Sequence, residues 1–144
     1  MSGLFEILAA RADACPSVGL ARAASHASEM DAEVLGQEAT VLVVPAAERW
    51  NEPRDFGMKV SVGGRIGFSC VVALTYPSGF AEWETVRAEL RATFLGWTPD
   101  HPEVTGPAYA SGARLLAYSA DQGGRWVHAF DFSLPSQATY EHQS

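Results

Sequence analysis

The second half of the chain limits the possible folds most, because an apolar strand, an amphipathic helix and a hairpin follow one another there. Residues 68–76 form a nearly continuous apolar run, typical of a buried strand. The helix predicted over 83–95 places its large apolar side chains on one stripe, namely Trp83, Val86, Leu90 and Phe94. Because such a stripe must be buried, we expect the helix to pack on the neighbouring strands.

A hairpin is predicted after this helix, with strands over 115–118 and 126–132 around the turn at Gly123-Gly124. Alternation in the second strand indicates two different faces, one with Trp126, His128 and Phe130 and the other with Val127, Ala129 and Asp131. The helix stripe is therefore expected to pack on a sheet made of residues 66–76, 114–119 and 125–133.

The first half predicts two helices and a strand. A helical face of Leu4, Phe5, Leu8 and Ala12 ends at Cys15-Pro16. Residues 18–20 could form a short strand, and the Ala-rich residues 21–35 predict a second helix anchored by Met30 and Val34 and stopped at Gly36. The β-branched run 40–44 predicts a strand ended by Pro45.

This order predicts an α+β fold with a single mixed or antiparallel sheet of about four to five strands and helices mainly on one face. The 144 residues suit one domain, predicted over 1–135. Within it, the polar residues 46–64 predict an exposed arm or loop, with a turn or bulge at Gly63-Gly64. Residues 98–113 predict an irregular connection, and the polar residues 136–144 predict a flexible tail.

The charge and composition narrow the class of partner. A net charge of -7 argues against a nucleic-acid-binding protein, which would show a basic patch. No apolar run approaches the roughly 20 residues of a membrane span, and the N-terminus lacks the basic region of a secretory signal. We therefore expect a cytoplasmic origin, with Cys15 and Cys70 as reduced thiols.

Three histidine-containing groups are candidates for chemical sites. His26, Glu29 and Glu33 have a spacing that could hold a metal, but a solvated helix face accounts for them better. His101 lies in a proline-bounded segment typical of a surface turn. His128 is interpreted as a histidine within a sheet face, since no serine or cysteine motif accompanies it. The sequence therefore predicts no catalytic residue, no cofactor and no metal.

The four tryptophans divide into two groups. Trp83, Trp97 and Trp126 are expected to share an aromatic core. Trp50 lies instead in the polar arm, where an exposed tryptophan is often a binding anchor and where folding back onto its own domain is the equal alternative. Trp50, Phe56 and Met58 are the predicted interface residues.

The order of these elements over residues 40–133 resembles the tail terminator proteins of long-tailed bacteriophages. Its more specific pieces are Leu95-Gly96-Trp97-x-Pro99 and Gly112-x-x-Leu115-Leu116. A strand around Phe68 precedes them, and a final strand from Trp126 to Phe130 follows. The first forty residues match that family only in being helical.

The resemblance implies a structural virion protein. Members of that family form a hexameric ring that caps the tail tube, stops its growth and presents a surface to the head-completion or stopper protein. The expected partners are copies of this chain, the major tail tube protein and the head-completion protein, and DNA would pass through the channel without specific binding. The expected location is the head-proximal end of the tail, and the host cytoplasm during assembly, with no cofactor and no membrane. Asp31, Glu33 and Glu38 are candidates to face the channel.

Two other classes stay open from the sequence. One is a different head–tail connector, such as a stopper or adaptor. The other is a small-ligand-binding or enzymatic α+β domain, with a site near His128 or His101.

Overall fold

One mixed sheet organises the part of the chain that the computed structural model describes, which is residues 3–33, 38–55, 59–75, 79–119 and 124–141. The elements in chain order are α1 (Leu4–Asp13), β1 (Val18–Ala23), a 3₁₀ helix (Ala27–Ala32), β2 (Ala39–Trp50), β3 (Arg54–Asp55), β4 (Lys59–Thr75), α2 (Gly79–Phe94), β5 (Tyr109–Ser119) and β6 (Arg125–Glu141). Within these described ranges, no helix combines the length and the apolar character needed to cross a bilayer.

The strand order is β1-β2-β4-β6-β5, and the two-residue β3 pairs with β4 beside this path. β1 runs parallel to β2, while the other pairs are antiparallel. β4 and β6 pair from Lys59 opposite Glu141 to Thr75 opposite Arg125. The predicted α+β class and mixed sheet are therefore confirmed, with five principal strands and one short one.

The main core lies between the sheet and the two α-helices. The stripe Trp83, Val86, Leu90 and Phe94 is buried there, as predicted. The rings of Phe68, Phe94 and Phe132 meet with centroid distances of 5.1–5.2 Å, joining α2 to the two central strands. After α2, Gly96 adopts a φ of +79°, which favours glycine and matches the predicted helix end.

The predicted second helix over residues 21–35 is wrong. Residues 21–23 continue β1, and only Ala27–Ala32 form a helical segment, a 3₁₀ helix. Alanine propensity is weak beside the parallel pairing of β1 with β2, which fixes these residues in extended form. Met30 is buried as predicted, on the other face of the sheet with Leu42 and Val71. Val34 and Gly36 lie outside the described residues.

Pro45 does not end β2, and Gly63-Gly64 is not a turn. β2 continues to Trp50, with a register shift between Pro45 and Glu48. β4 runs without interruption through both glycines. Both glycines are paired in the β4–β6 ladder, Gly63 with Gln137 and Gly64 with Ser136. Glycine also lets β4 continue close beside β2, since a Cβ on Gly67 would lie 2.5 Å from the Ala47 carbonyl oxygen.

Parts of the segments predicted as loop or tail are strand, whereas the irregular connection predicted over 98–113 is confirmed as far as residue 108. Residues 46–50 and 54–55 of the predicted loop belong to β2 and β3, and β5 already begins at Tyr109. Residues 136–141 of the predicted tail belong to β6, where they pair with residues 59–64 of β4. Polar composition predicts exposed side chains, but the backbone groups of β4 still need partners, and β6 supplies them.

Removal of the Leu90 side chain tests the predicted packing of α2. Because Leu90 is fully buried, Leu90→Ala should lower the free energy of unfolding by about 2–5 kcal/mol. Leu115→Ala is the matched control, since Leu115 is 51% exposed. Chemical denaturation of both variants should separate them, and equal small losses would place the stripe at the surface.

The close approach of β2 and β4 is tested by Gly67→Ala. The added methyl group must push against the Ala47 carbonyl, so stability should fall by roughly 1–3 kcal/mol. Gly112→Ala is the control, because a Cβ there would meet nothing within 4 Å. Thermal unfolding that ranks the two variants equally would contradict this account of the uninterrupted β4.

Candidate functional site

The far end of the sheet forms an arm, defined here as residues 46–50, 54–55, 59–64 and 136–141. In β4 the continuous buried run begins at Ile66, whereas residues 61–65 are half-buried. Residues 47–50 of β2 are exposed. The arm is therefore built from paired strands that continue past the helix-covered core.

Trp50 is the predicted interface residue that the structure describes. It is 43% exposed, and its Nε1 donates a hydrogen bond to Glu48 Oε2 at 3.1 Å. It pairs across the ladder with Gly64, and the missing side chain there leaves room for the indole. Phe56 and Met58 lie outside the described residues.

A groove of about 690 Å³ crosses the sheet face opposite α1 and α2. Its walls come from β2, β4, β5 and β6, with the start of the 3₁₀ helix at one side. The charged residues that line it are Arg49, Arg65, Arg114 and Asp131. A volume of this size is within the range of ligand sites in proteins, about 300–1,000 Å³.

The three arginines differ in their partners. The Arg65 guanidinium lies 4.2 Å from the Tyr109 ring centroid, and its Nε donates to the Tyr109 hydroxyl at 2.6 Å. Arg114 forms an ion pair with Asp131. Arg49 stands directly opposite Arg65 in the β2–β4 register and has no ion pair among the described residues. Like charges placed directly opposite on a sheet are unfavourable.

Two polar atoms at the bottom of the groove have no hydrogen-bond partner in the described part of the chain. These atoms are Ser69 Oγ and Asp131 Oδ1, and both are shielded from solvent. Ser69 and Asp131 are direct partners across the β4–β6 ladder, so the two atoms belong to one place. An unpaired buried polar atom costs about 1–3 kcal/mol, which makes this pair unusual.

The groove was not predicted from the sequence. Ser69 lies within a run that predicts a buried strand, and the arginines are distant from one another along the chain. A partial signal was present in the alternation of Arg65, Gly67 and Ser69 with Ile66, Phe68 and Cys70. That period of two separates a polar face from an apolar one.

His128 lies in the aromatic core, as the sequence indicated. Its ring stacks on Trp83 at a centroid distance of 4.1 Å and faces Trp126 at 6.4 Å. Burial among these rings lowers the pKa of His128. Trp97 joins the same core through Phe94, at 6.0 Å between centroids.

The His26 group serves local structure. His26 precedes the 3₁₀ helix, and its Nδ1 accepts a hydrogen bond from the Ser28 backbone N–H at 3.1 Å. Glu29 and Glu33 both form ion pairs with Arg22. Hydrogen bonds from the Ser25 hydroxyl and backbone N–H lower the pKa of Glu29 to about 2. Across the described ranges, no cluster of three histidine, cysteine, aspartate or glutamate residues could hold a metal ion.

The side chains of His101 and the two cysteines also have structural surroundings. The His101 Nδ1 accepts a hydrogen bond from the Glu103 backbone N–H at 3.2 Å, as expected for a turn. Cys15 and Cys70 are buried free thiols, and burial raises the pKa of both.

Comparison with known proteins finds neither a family model nor a curated protein that matches this chain.

The partly buried ring of His128 predicts a pH-dependent stability. Its pKa is lowered in the folded state, so stability should be full above the unfolded value of about 6.5 and fall as the pH drops below it. His128→Phe keeps a ring in place but removes the titration, so its unfolding free energy should depend less on pH between about 7.5 and 5.5. Denaturation at both pH values measures this difference.

His101→Gln is the matched control, because this residue lies in a surface turn away from the aromatic core. It should retain the pH dependence of the unchanged protein. An unchanged slope in His128→Phe would mean that the ring titrates alike in the folded and unfolded states.

Proposed function

We propose that this protein is a tail terminator of a long-tailed bacteriophage, which forms a hexameric ring on the end of the tail tube. The observation that carries the proposal is the arm: paired strands that extend beyond the core and present Trp50 to solvent. The ordered resemblance to tail terminator proteins over residues 40–133 indicates that the arm would contact a neighbour in a hexameric ring.

The arm suits contact with a neighbouring protein. An aromatic side chain on a rigid backbone loses little conformational entropy on binding and buries a large area. The ladder with β4 and the hydrogen bond to Glu48 already restrict Trp50. The side chain is therefore largely prepared for an interface before a partner arrives.

The lateral edge of the sheet at β5 supplies a second candidate contact surface. β5 is the terminal strand in the sheet order, and residues 111–117 are exposed. Leu115 and Leu116 are 51% and 40% exposed, an unusual density of apolar surface on an edge strand. A ring requires two different surfaces on each subunit that meet head to tail, and the arm and this edge are two such surfaces.

The charge of the chain agrees with a channel through which DNA slides. A net charge of -7 per subunit gives a ring that repels a polyanion. Of the candidates for the channel wall, Asp31 and Glu38 are exposed, whereas Glu33 is held by Arg22. The proposed partners are the tail tube protein at one face of the ring and the head-completion protein at the other.

Particles produced from the genome that encodes this chain test the proposal. Deletion of the chain should give tails of irregular length that do not join heads, and a labelled copy should appear at the head-proximal end of the tail. Electron microscopy of purified particles measures both. Normal joined tails without the protein, or a label elsewhere in the particle or absent from it, would contradict the assignment. A label on the head side of the joint would indicate a stopper or adaptor instead.

Complementation with Trp50→Ala belongs to the same experiment. The variant should fold, because the indole is 43% exposed, yet weaken assembly by about 2 kcal/mol, the size of an interface hot spot. Trp50→Phe is the matched control and should restore most of the joined particles, since it keeps an aromatic surface. Full assembly with Trp50→Ala would remove the arm from the interface.

A further inference from the structure

We propose that the groove on the sheet face opposite α1 and α2 binds an extended acidic peptide segment of a partner protein. Arg49 and Arg65 would hold the carboxylates of that segment, while Ser69 and Asp131 would meet its backbone N–H groups. The groove includes Arg49 of the arm and is bordered by β5. It lies on the face away from Trp50, because successive side chains alternate along β2. Its proposed ligand does not depend on the ring proposed above.

The charge of the groove is opposite to that of the chain. Three of the ten basic residues line it, against one of the seventeen acidic residues, in a protein of net charge -7. The cross-strand pair Arg49–Arg65 concentrates this charge at one wall. A carboxylate between the two guanidinium groups would relieve their repulsion and gain charge-assisted hydrogen bonds.

The geometry of Arg65 prepares it for this role. Its guanidinium lies over the Tyr109 ring, and its Nε donates a hydrogen bond to the Tyr109 hydroxyl. The terminal nitrogens have no hydrogen bond to a described residue, so they are available to an anion. Arg49 is exposed and also lacks a described partner, which leaves the whole fork for recognition.

The bottom of the groove favours a peptide over a nucleic acid. Ser69 is 5% exposed, and its Oγ and the neighbouring Asp131 Oδ1 lack partners in the described structure. Asp131 Oδ1 is an acceptor and therefore needs a donor. A peptide backbone carries an N–H donor at nearly every residue, whereas the phosphates of a nucleic acid are acceptors and would be repelled by this carboxylate. The side chains that shield both atoms must move aside when the segment enters.

Binding can be measured on the purified chain with a fluorescent eight-residue peptide of alternating glutamate and valine with blocked ends. The same peptide with glutamine in place of glutamate is the ligand control. We expect the glutamate peptide to bind, the glutamine peptide to bind much more weakly, and the affinity to fall as salt is added. Fluorescence anisotropy gives each Kd.

Protein variants locate the site. Arg49→Gln should weaken binding by about tenfold or more, the usual effect of losing a hydrogen bond to a charged group. Arg91→Gln is the matched control, because Arg91 is exposed on α2 on the other side of the sheet. Ser69→Ala should weaken binding about three- to tenfold without lowering stability, since its hydroxyl has no partner in the described fold.

Several results would overturn the proposal. These are no binding of the glutamate peptide, equal binding of the glutamate and glutamine peptides, or an Arg49→Gln affinity equal to that of Arg91→Gln. Tighter binding of an eight-nucleotide oligothymidylate than of the peptide would assign the groove to phosphodiesters instead. All of these measurements use the isolated chain, so a negative result would not contradict the proposed role in the tail. A negative result in the particle experiment would likewise not contradict peptide binding in the groove.

Discussion

The pairing of β4 with β6 is the interaction on which the rest of the structure depends. Each strand has seventeen residues, and the ladder joins them along their full length. Near its middle, Phe68 and Phe132 stack across it under α2 with a centroid distance of 5.2 Å. At one end the same ladder forms the arm. The arm is therefore tied to the core by continuous backbone hydrogen bonds, which distinguishes it from a surface loop.

The two faces of this ladder have different roles because side chains alternate along a strand. Phe68 and Phe130 lie on the helix-covered face, where burial of aromatic rings stabilises the fold. Their neighbours Ser69 and Asp131 lie on the other face, at the bottom of the groove. One pair of strands thus contributes both to the main core and to a pair of buried polar atoms without a hydrogen-bond partner among the described residues.

The parts of the fold predicted from sequence are those set by local periodicity. The α2 stripe from Trp83 to Phe94 and the alternation from Trp126 to Asp131 each require a single buried face, and the structure has both. The errors arise where distant pairing decides the outcome. Residues 21–35 contain alanines that favour a helix, but part of this segment pairs with β2. Gly63-Gly64 resembles a turn, yet Gly64 lies where β2 passes too closely for a side chain.

The candidate site shows the same division. The exposure of Trp50 followed from a polar neighbourhood that is visible in the sequence. The groove could not be predicted in this way, because its arginines come from three different strands and only the strand register brings them to one face. Composition pointed away from it as well, since a net charge of -7 argues against any cationic site. Net charge describes the long-range field of a protein and does not exclude a local patch of the opposite sign.

β2 connects the two proposed surfaces through neighbouring residues. Arg49 lines the groove, and the next residue, Trp50, points to the opposite face of the arm because successive side chains alternate. Two glycines of β4 hold this stretch in place, since β2 lies against Gly64 and Gly67 too closely for a Cβ. A shift of β2 that moved Trp50 toward a partner would therefore also move Arg49 relative to Arg65. The close packing of β2 on the glycines of β4 thus fixes both the spacing of the groove arginines and the direction of the exposed indole.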